Sequence, residues 1–457
     1  MKVAVLGAGI AGLAAGWTLQ RLGQGVTVFD PSDRVGGKIQ SLRVDGYLLE
    51  LGPHSLQASH TALYEAIGDL GLKSTLLEAG PEAQNRFVYQ RGNLEPIPLG
   101  PAALIRTPLL SGRAKWRLLK EPFIAGRAED ESVADFFTRR LGPEVVTRLV
   151  DPFISGVYAG DPGQLSIAAA LPRLKELERL GGSIVRGALI SRRQARKEQT
   201  GKRVPRRRGM YAFRDGLQEI PDALAGALEG LLRLGAPVDD VVQSHDAWRI
   251  NGERFDAVIA TSPAHAWTAL PGNLRPASPP VYTPVAVAHL SYPQTDVGSR
   301  TDGFGLLIPA VEQRRILGIL FDSSLFPYRA PDGEHLFTVF LGGERNRWIS
   351  RESRADLLRI ACEEVGDIMQ IKTATAPLFS HLHLWAAAIP QYGFGHGAFV
   401  RNLDRVERAH PTWAFAGNYR QGISVGQSFE SGVDAARRLV HRLKEDVQHH
   451  QEVSHAE

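Results

Sequence analysis

The feature that most constrains this chain is its first strand, turn and helix. Val3 to Gly12 reads Val-Ala-Val-Leu-Gly7-Ala8-Gly9-Ile10-Ala11-Gly12, an apolar strand entering a glycine-rich turn and then a helix predicted from about Ile10 to Leu22. Gly7 permits the tight turn, Gly9 lets backbone N–H groups approach a pyrophosphate, and Gly12 lets the helix lie close against the strand. The helix N-terminus then faces the phosphates, where unpaired N–H groups and the helix dipole favour negative charge. A turn at Gly23-Gln24-Gly25 leads to a second strand, Val26 to Phe29, closing on Asp30, 18 residues past Gly12. An acid there is placed to accept hydrogen bonds from an adenosine ribose. The pattern requires a Rossmann-type α/β unit built for an adenine dinucleotide.

Asp33-Arg34-Val35-Gly36-Gly37-Lys38 follows directly. NAD-dependent dehydrogenases have no fixed need for a glycine pair at this point. Flavoproteins of the amine-oxidase type carry an Arg-x-Gly-Gly element here, and the resemblance selects FAD. It becomes more specific along the chain. Asp45-Gly-Tyr-Leu-Leu-Glu50-Leu-Gly52-Pro53-His54-Ser55 resembles the segment beneath the flavin in protoporphyrinogen oxidases, and Ala83-Gln84-Asn85-Arg86-Phe87-Val88-Tyr89 resembles their substrate-anchoring segment. Gly156-Val-Tyr-Ala-Gly160-Asp161 with Leu165-Ser166, Gly303-Phe304-Gly305, and Ile389-Pro390-Gln391-Tyr392 with Gly395-His396 are similar to the same family, as is Gly417-Asn-Tyr-Arg-Gln-Gly422-Ile-Ser-Val-Gly426.

The resemblance implies an FAD-dependent oxidation of protoporphyrinogen IX in haem biosynthesis. Six electrons would leave in three hydride transfers, with O₂ as acceptor giving H₂O₂. Fingerprint and resemblance together place cofactor contacts at Gly7, Ala8, Gly9, Ile10, Ala11, Gly12, Asp30, Pro31, Arg34, Gly37, Lys38, Gly52, Pro53, His54, Ser55, Val238, Trp385, Gly417, Ile423, Ser424 and Val425. His54 departs from the residue many relatives carry after Gly-Pro. Substrate contacts are expected from Arg86, Phe87, Phe304, Gly305, Leu307 and Phe340. Arg86 is the expected propionate anchor, because a guanidinium grips a carboxylate through two parallel bonds that a lysine cannot reproduce. Its alternative is a structural ion pair. As isolated strand residues the apolar positions read as core, and Gly305 is expected to let the macrocycle approach the backbone.

At 457 residues the chain exceeds a single hydrophobic core. The resemblance implies how it divides: a Rossmann-type FAD-binding domain from 1–85, 208–263 and 385–445, an α+β substrate domain from 86–104 and 264–384, and an inserted helical membrane-binding domain from 105–207. A polar tail follows at 446–457. The single cysteine, Cys362, excludes an internal disulfide, fits a reducing compartment and lies outside the C-terminal motif, so FAD is expected to be bound non-covalently. The run from Lys2 to Trp17 mimics a signal peptide, but it contains the fingerprint glycines, so export is not expected. No apolar stretch reaches the ~18 residues that a bilayer span requires.

The net charge of +4 is concentrated. Arg186 to Arg208 includes Arg192, Arg193, Arg196, Lys197, Lys202, Arg203, Arg206, Arg207 and Arg208 against one acid, Glu198. This stretch reads either as a solvated loop or as a contact with anionic lipid headgroups. Upstream, 101–122 mixes Leu104, Ile105, Trp116 and Leu119 with Arg106, Arg113, Lys115, Arg117 and Lys120, suited to a membrane interface or to packing on its own domain. The expected location is cytoplasmic, peripheral on the cytoplasmic face of the membrane, and a homodimer is compatible with the resemblance. Without interleaved aromatics, nucleic acid is not an expected partner.

The 14 histidines show no metal-ligand spacing, and no nucleophile motif is present. Many amine oxidases hold a lysine from the substrate domain against the flavin, and no lysine occurs between Lys202 and Lys372. Coproporphyrinogen III, with four carboxylates in place of two, is the alternative substrate. A non-catalytic flavin or porphyrin carrier is the reading from outside the enzymes.

Overall fold

The computed structural model describes residues 1–57, 59–198, 209–244, 247–372 and 375–454. Its nucleotide-binding half is a five-stranded parallel sheet in the spatial order Leu232–Arg233, Gly25–Phe29, Lys2–Leu6, Ala257–Ala260 and Trp413–Phe415. Its central strands are buried almost throughout, as parallel strands covered on both faces must be. Helix Ile10–Arg21 packs on the long C-terminal helix Val425–Ser454. The crossing is close: a Cβ on Gly432 would lie 2.0 Å from the Ala11 carbonyl oxygen.

A second, seven-stranded sheet runs Phe379–Pro390, Tyr282–Pro293, Glu334–Gly342, Ile316–Phe321, Gly305–Leu307, Arg86–Gln90 and Asn93–Pro96. Every pairing is antiparallel except that of Gly305–Leu307 with Arg86–Gln90. Strands Tyr282–Pro293 and Glu334–Gly342 are long members of this sheet, and helix Arg354–Ile368 packs against it. Alternation divides the sheet. Ala286, Ala288, Leu290, Phe337, Val339 and Leu341 join Leu357, Ala361 and Val365 of that helix in one core. The residues between them face the opposite side, where Val285 and Val287 cluster with Phe340, Trp385 and Ala159. That second face carries the site.

Between the halves lies a helical unit. Ser111, Ser132 and Ser166 cap helices Gly112–Leu118, Val133–Leu141 and Ile167–Ala170 by accepting backbone N–H groups. Arg140 is fully buried; it pairs with Glu121 at 3.1 Å and Glu178 at 2.5 Å, and donates to the carbonyls of Ile124 and Gly182. The unit is clamped to the sheet by Arg345, which reaches Asp151 at 2.5 Å and Asp161 at 3.0 Å.

The basic stretch corrects the loop reading over part of its length. Ile184–Glu198 is a helix, packed so closely on Pro172–Gly181 that a Cβ on Gly187 would lie 1.9 Å from the Leu177 carbonyl oxygen. Lys202, Arg203, Arg206, Arg207 and Arg208 lie outside the described residues. Met210–Phe213 resumes as a strand between Leu56–Gln57 and Leu76–Glu78. Val238, an expected cofactor contact, sits in the loop before strand Val241–Ser244. That loop stays close to the dinucleotide fingerprint, because the Gly235 and Ala236 N–H groups donate to the Ser32 and Asp30 carbonyls at 2.8 and 2.9 Å.

Candidate active site

The first turn is shaped by what crowds it. Gly7 holds φ +119°, and a Cβ on Gly12 would lie 1.8 Å from the Gly7 carbonyl oxygen, so the helix starts in contact with its own turn. Gly9 differs: a Cβ there meets no protein atom within 4 Å. The helix that begins at Ile10 has no side-chain cap and no acid in its first turn. Asp30 accepts the Ala8 N–H at 2.7 Å and the Ser32 N–H at 2.8 Å. Ala8 is buried with its N–H committed to Asp30, so it shapes the turn and offers the ligand no donor, a correction to its expected role.

The second glycine motif touches the first. The Gly36 N–H donates to the Ala8 carbonyl at 2.9 Å, and Gly9 and Gly36 form a parallel bridge. Arg34 ties this loop together by donating to the Gly37 carbonyl at 2.7 Å and those of Val35 and Ile39 at 3.3 Å. Lys38 Nζ lies 4.9 Å over the Trp385 ring. Burial first, and Arg34 second, hold its ammonium down to about 8. Pro31 and Gly37 are exposed beside this loop. An open glycine edge, an uncapped helix start and two cations without a bonded carboxylate among the described residues fit the diphosphate of FAD.

The expected flavin floor folds against this loop. A Cβ on Gly52 would lie 1.9 Å from the Lys38 carbonyl oxygen, and the Trp385 indole donates to the Leu51 carbonyl at 2.6 Å. At the far end, Gly417 holds φ +145° and donates to Ser431 Oγ at 3.1 Å. Tyr392 fixes the loop between them by accepting the Gly422 N–H at 3.0 Å and donating to the Asn418 carbonyl. Ser424 accepts the Gln427 N–H at 3.2 Å just before helix Val425–Ser454 begins. Ile423 packs on the helical unit, and Val425 on the nucleotide-binding core.

A buried polar network lies beneath the floor. Arg329, fully buried, reaches Asp322 at 2.8 Å, Glu50 at 3.5 Å and the His54 carbonyl at 3.0 Å. Glu50 accepts the Leu217 N–H and the Ser41 hydroxyl, while burial pushes its carboxyl up to about 7. Ser55 and Met210 lie alongside, with the Ser55 hydroxyl 3.8 Å from the Met210 sulfur. His54 is buried, edge-on to Phe340 with ring centroids 5.4 Å apart.

Phe340, Leu307 and Phe304, the expected apolar substrate contacts, are all half-buried. Leu307 meets the helical unit at Gly156, where a Cβ would fall 2.4 Å from its side chain. Arg86 lies 5.1 Å over the Phe304 ring and 4.0 Å from the Met210 sulfur. It bonds to no carboxylate among the described residues, so the alternative of a structural ion pair finds no support, and burial lowers the affinity of its guanidinium for its proton.

Two expectations are corrected here. Phe87 follows Arg86 on the same strand, so it points to the opposite face and is buried in the core beneath helix Arg354–Ile368. Gly305 lets strand Ile316–Phe321 approach, since a Cβ there would lie 2.2 Å from the Ile319 carbonyl oxygen; the neighbour that needs the space is protein. Met210, Asp322, Arg329 and His289 were not singled out in the sequence. His289 carried a signal: it shares strand parity with Val285 and Val287 and is a polar residue in a buried strand.

Comparison with known proteins places this geometry. The flavin containing amine oxidoreductase family matches residues 10–440. A mitochondrial protoporphyrinogen oxidase of Nicotiana tabacum is 34% identical over 97% of this chain and 95% of its own length. A coproporphyrinogen III oxidase of Staphylococcus aureus is 27% identical over 97% of this chain and 99% of its own. Among solved structures, a chain from Exiguobacterium sp. 255-15, provisionally named a protoporphyrinogen oxidase, superposes with a TM-score of 0.80 at 22% identity, covering 97% of this chain and 99% of that one. Cyclohexylamine oxidase from Brevibacterium oxydans shares the fold with a TM-score of 0.68 at 18% identity, covering 97% and 99% of the two chains.

Proposed function

The chain belongs to the flavin containing amine oxidoreductases and, within them, to the protoporphyrinogen oxidase family, and on that premise we propose that it oxidises protoporphyrinogen IX to protoporphyrin IX. It is an FAD-dependent enzyme acting on a porphyrinogen. The observation that carries the choice of substrate is Arg86: a guanidinium that bonds to no carboxylate among the described residues and lies 5.1 Å over the Phe304 ring. One such anchor suits a macrocycle with two propionates better than one with four. Side-by-side turnover of protoporphyrinogen IX and coproporphyrinogen III tests this, and faster oxidation of the latter rejects it.

FAD supplies hydride acceptance. The residues that would hold it are Gly9, Ile10 to Gly12, Asp30, Arg34 and Lys38 at the diphosphate and ribose, with Gly52, Pro53, Trp385 and 422–425 toward the ring. Phe304, Leu307 and Phe340 orient the macrocycle and exclude water, and Arg86 fixes its rim. Six electrons leave as three hydrides, with O₂ as final acceptor. FAD is held without a covalent bond: Cys362 belongs to helix Arg354–Ile368, on the other side of the sheet from the site.

The reading extends to a membrane surface, with 105–207 as the membrane-facing unit and the protein peripheral on the cytoplasmic face. The support is an exposed apolar set on this unit, with Trp116 at 72% and Phe123 at 81% exposure and Ile105, Leu119, Val185 and Leu189 also exposed. Arg113, Lys115, Arg117, Arg192 and Arg193 share the same helices. No helix among the described residues is long and apolar enough to cross a membrane. A surface that is both apolar and basic suits an anionic interface.

A further inference from the structure

The sequence holds three methionines, and they stand in three environments. Met369 is fully buried in the core between the seven-stranded sheet and helix Arg354–Ile368, and Met1 is 45% exposed at the chain terminus. Met210 is half-buried on the strand that pairs with Leu56–Gln57, and its sulfur meets the site. The Ser55 hydroxyl lies 3.8 Å from that sulfur, and an Arg86 guanidinium nitrogen lies 4.0 Å from it. One thioether therefore touches both the expected flavin floor and the expected substrate anchor. Its backbone is held: the Met210 carbonyl accepts the Ala79 N–H at 2.8 Å, and Tyr211 beside it is buried in the nucleotide-binding core. Both side-chain neighbours are donors facing a weak acceptor, because thioether sulfur accepts hydrogen bonds poorly.

A stronger acceptor at this sulfur would change what Arg86 can do. Oxidation to the sulfoxide adds a polar oxygen and turns an apolar side chain into a polar one. Ser55 and Arg86 are the donors already placed to hold that oxygen. Arg86 bonds to no carboxylate among the described residues, so its guanidinium would engage the new oxygen at the expense of a substrate carboxylate. The remaining sulfurs inside the fold are poorer targets. Met369 has no exposure, and burial pushes the Cys362 thiol up, away from the reactive thiolate, on the far side of the sheet from the site.

We propose that Met210 is a modification site: hydrogen peroxide formed by the enzyme oxidises its sulfur, and the sulfoxide occupies Arg86 and weakens substrate binding. The inference rests on the porphyrinogen reading, in which O₂ takes the electrons and leaves as H₂O₂. The sulfur lone pair attacks one peroxide oxygen, and the S–O bond forms as the O–O bond breaks. The departing hydroxide takes the proton from the transferred oxygen and leaves as water. Sulfur loses two electrons and the peroxide gains them, so methionine and H₂O₂ give methionine sulfoxide and water with no further reactant. Accumulating peroxide thus lowers affinity for the substrate whose oxidation generates it, and a methionine sulfoxide reductase reverses the change.

Peroxide treatment of the resting holoenzyme, followed by peptide mass spectrometry, tests the site without turnover. Met210 should gain one oxygen well before Met369, and methionine sulfoxide reductase should remove it. In the treated enzyme KM for protoporphyrinogen IX should rise by roughly 10-fold, as for loss of a charge-assisted hydrogen bond, with FAD content normal. The change should fall on KM, with kcat within about twofold of the untreated value. Met210→Gln, which carries an amide oxygen, should show the raised KM without peroxide. Met210→Leu should show one KM before and after treatment, each sample compared with its own untreated half. During aerobic turnover Met210 sulfoxide should accumulate without added peroxide, and catalase should suppress it. The proposal is overturned by Met369 oxidised ahead of Met210, by an oxidised Met210 with unchanged KM, or by turnover that leaves Met210 unmodified. Treated Met210→Leu that loses affinity as wild type does also overturns it. A wild-type protein that leaves porphyrinogen unoxidised overturns the reading beneath it, and the oxidation map still decides whether Met210 is the peroxide-reactive site.

Discussion

At the scale of single residues, charge without a partner is the informative observation. Arg86 stands over Phe304 with no bonded carboxylate among the described residues, so its replacement should change substrate binding more than chemistry. Arg86→Ala removes a charge-assisted bond worth about 1.5–3 kcal/mol, roughly a 10- to 150-fold loss in kcat/KM carried mostly by KM. Arg86→Lys should recover only part of the loss, and FAD content should stay normal in both. Unchanged kinetics in Arg86→Ala would return Arg86 to a structural role. Lys38 gives a pH dependence. Its ammonium is held down to about 8 by burial, and an anionic cofactor would raise that value, so binding takes up a proton above pH 8. FAD affinity for the apoprotein should therefore be flat below pH 8 and fall as pH rises beyond it. Titration by flavin fluorescence reads this, and Lys38→Arg should remove the dependence. An affinity that climbs with pH has the wrong sign for the account.

Elements show why some of the site was legible in the sequence and some was not. The fingerprint is a local code: each glycine answers a contact a few residues away, and a Gly12 Cβ would lie 1.8 Å from the Gly7 carbonyl oxygen. Gly12→Ala should therefore cost the protein its FAD, seen as a colourless purified chain. Strand parity was equally available, and it separates Arg86 from Phe87. The role of Gly305 depended on a neighbouring strand, and the floor network joins Glu50, Asp322, Arg329 and Thr338 across turns and strands far apart in sequence. No spacing rule predicts such a network. The helix Ile184–Glu198 was obscured because charge dominates its composition, while its packing depends on one glycine contact, Gly187 on Leu177. Inside the same unit, Arg140→Ala would leave the buried Glu121 without its cation while Glu178 keeps Arg139 and Lys175, at a cost of about 3–5 kcal/mol. The urea midpoint should drop accordingly, and a midpoint equal to wild type would show that the pair is not needed.

For the molecule as a whole, the helical unit between the two sheet-bearing halves leaves apolar groups exposed. Trp116→Glu and Phe123→Glu should each weaken binding to anionic vesicles by roughly 10-fold or more, given about 1.5–3 kcal/mol for a buried apolar side chain. The remainder should yield to salt through the screened basic residues. Vesicle binding that neither substitution changes would leave that surface without a role at the membrane. In the proposed function the glycine-rich loops and Arg86 serve one reaction, the removal of hydride from a porphyrinogen by bound FAD. Anaerobic mixing of the purified yellow protein with protoporphyrinogen IX tests it most directly. The flavin absorbance should bleach, porphyrin fluorescence should appear, and the colour should return on admitting O₂. Flavin that stays oxidised under protoporphyrinogen IX and coproporphyrinogen III alike would contradict it.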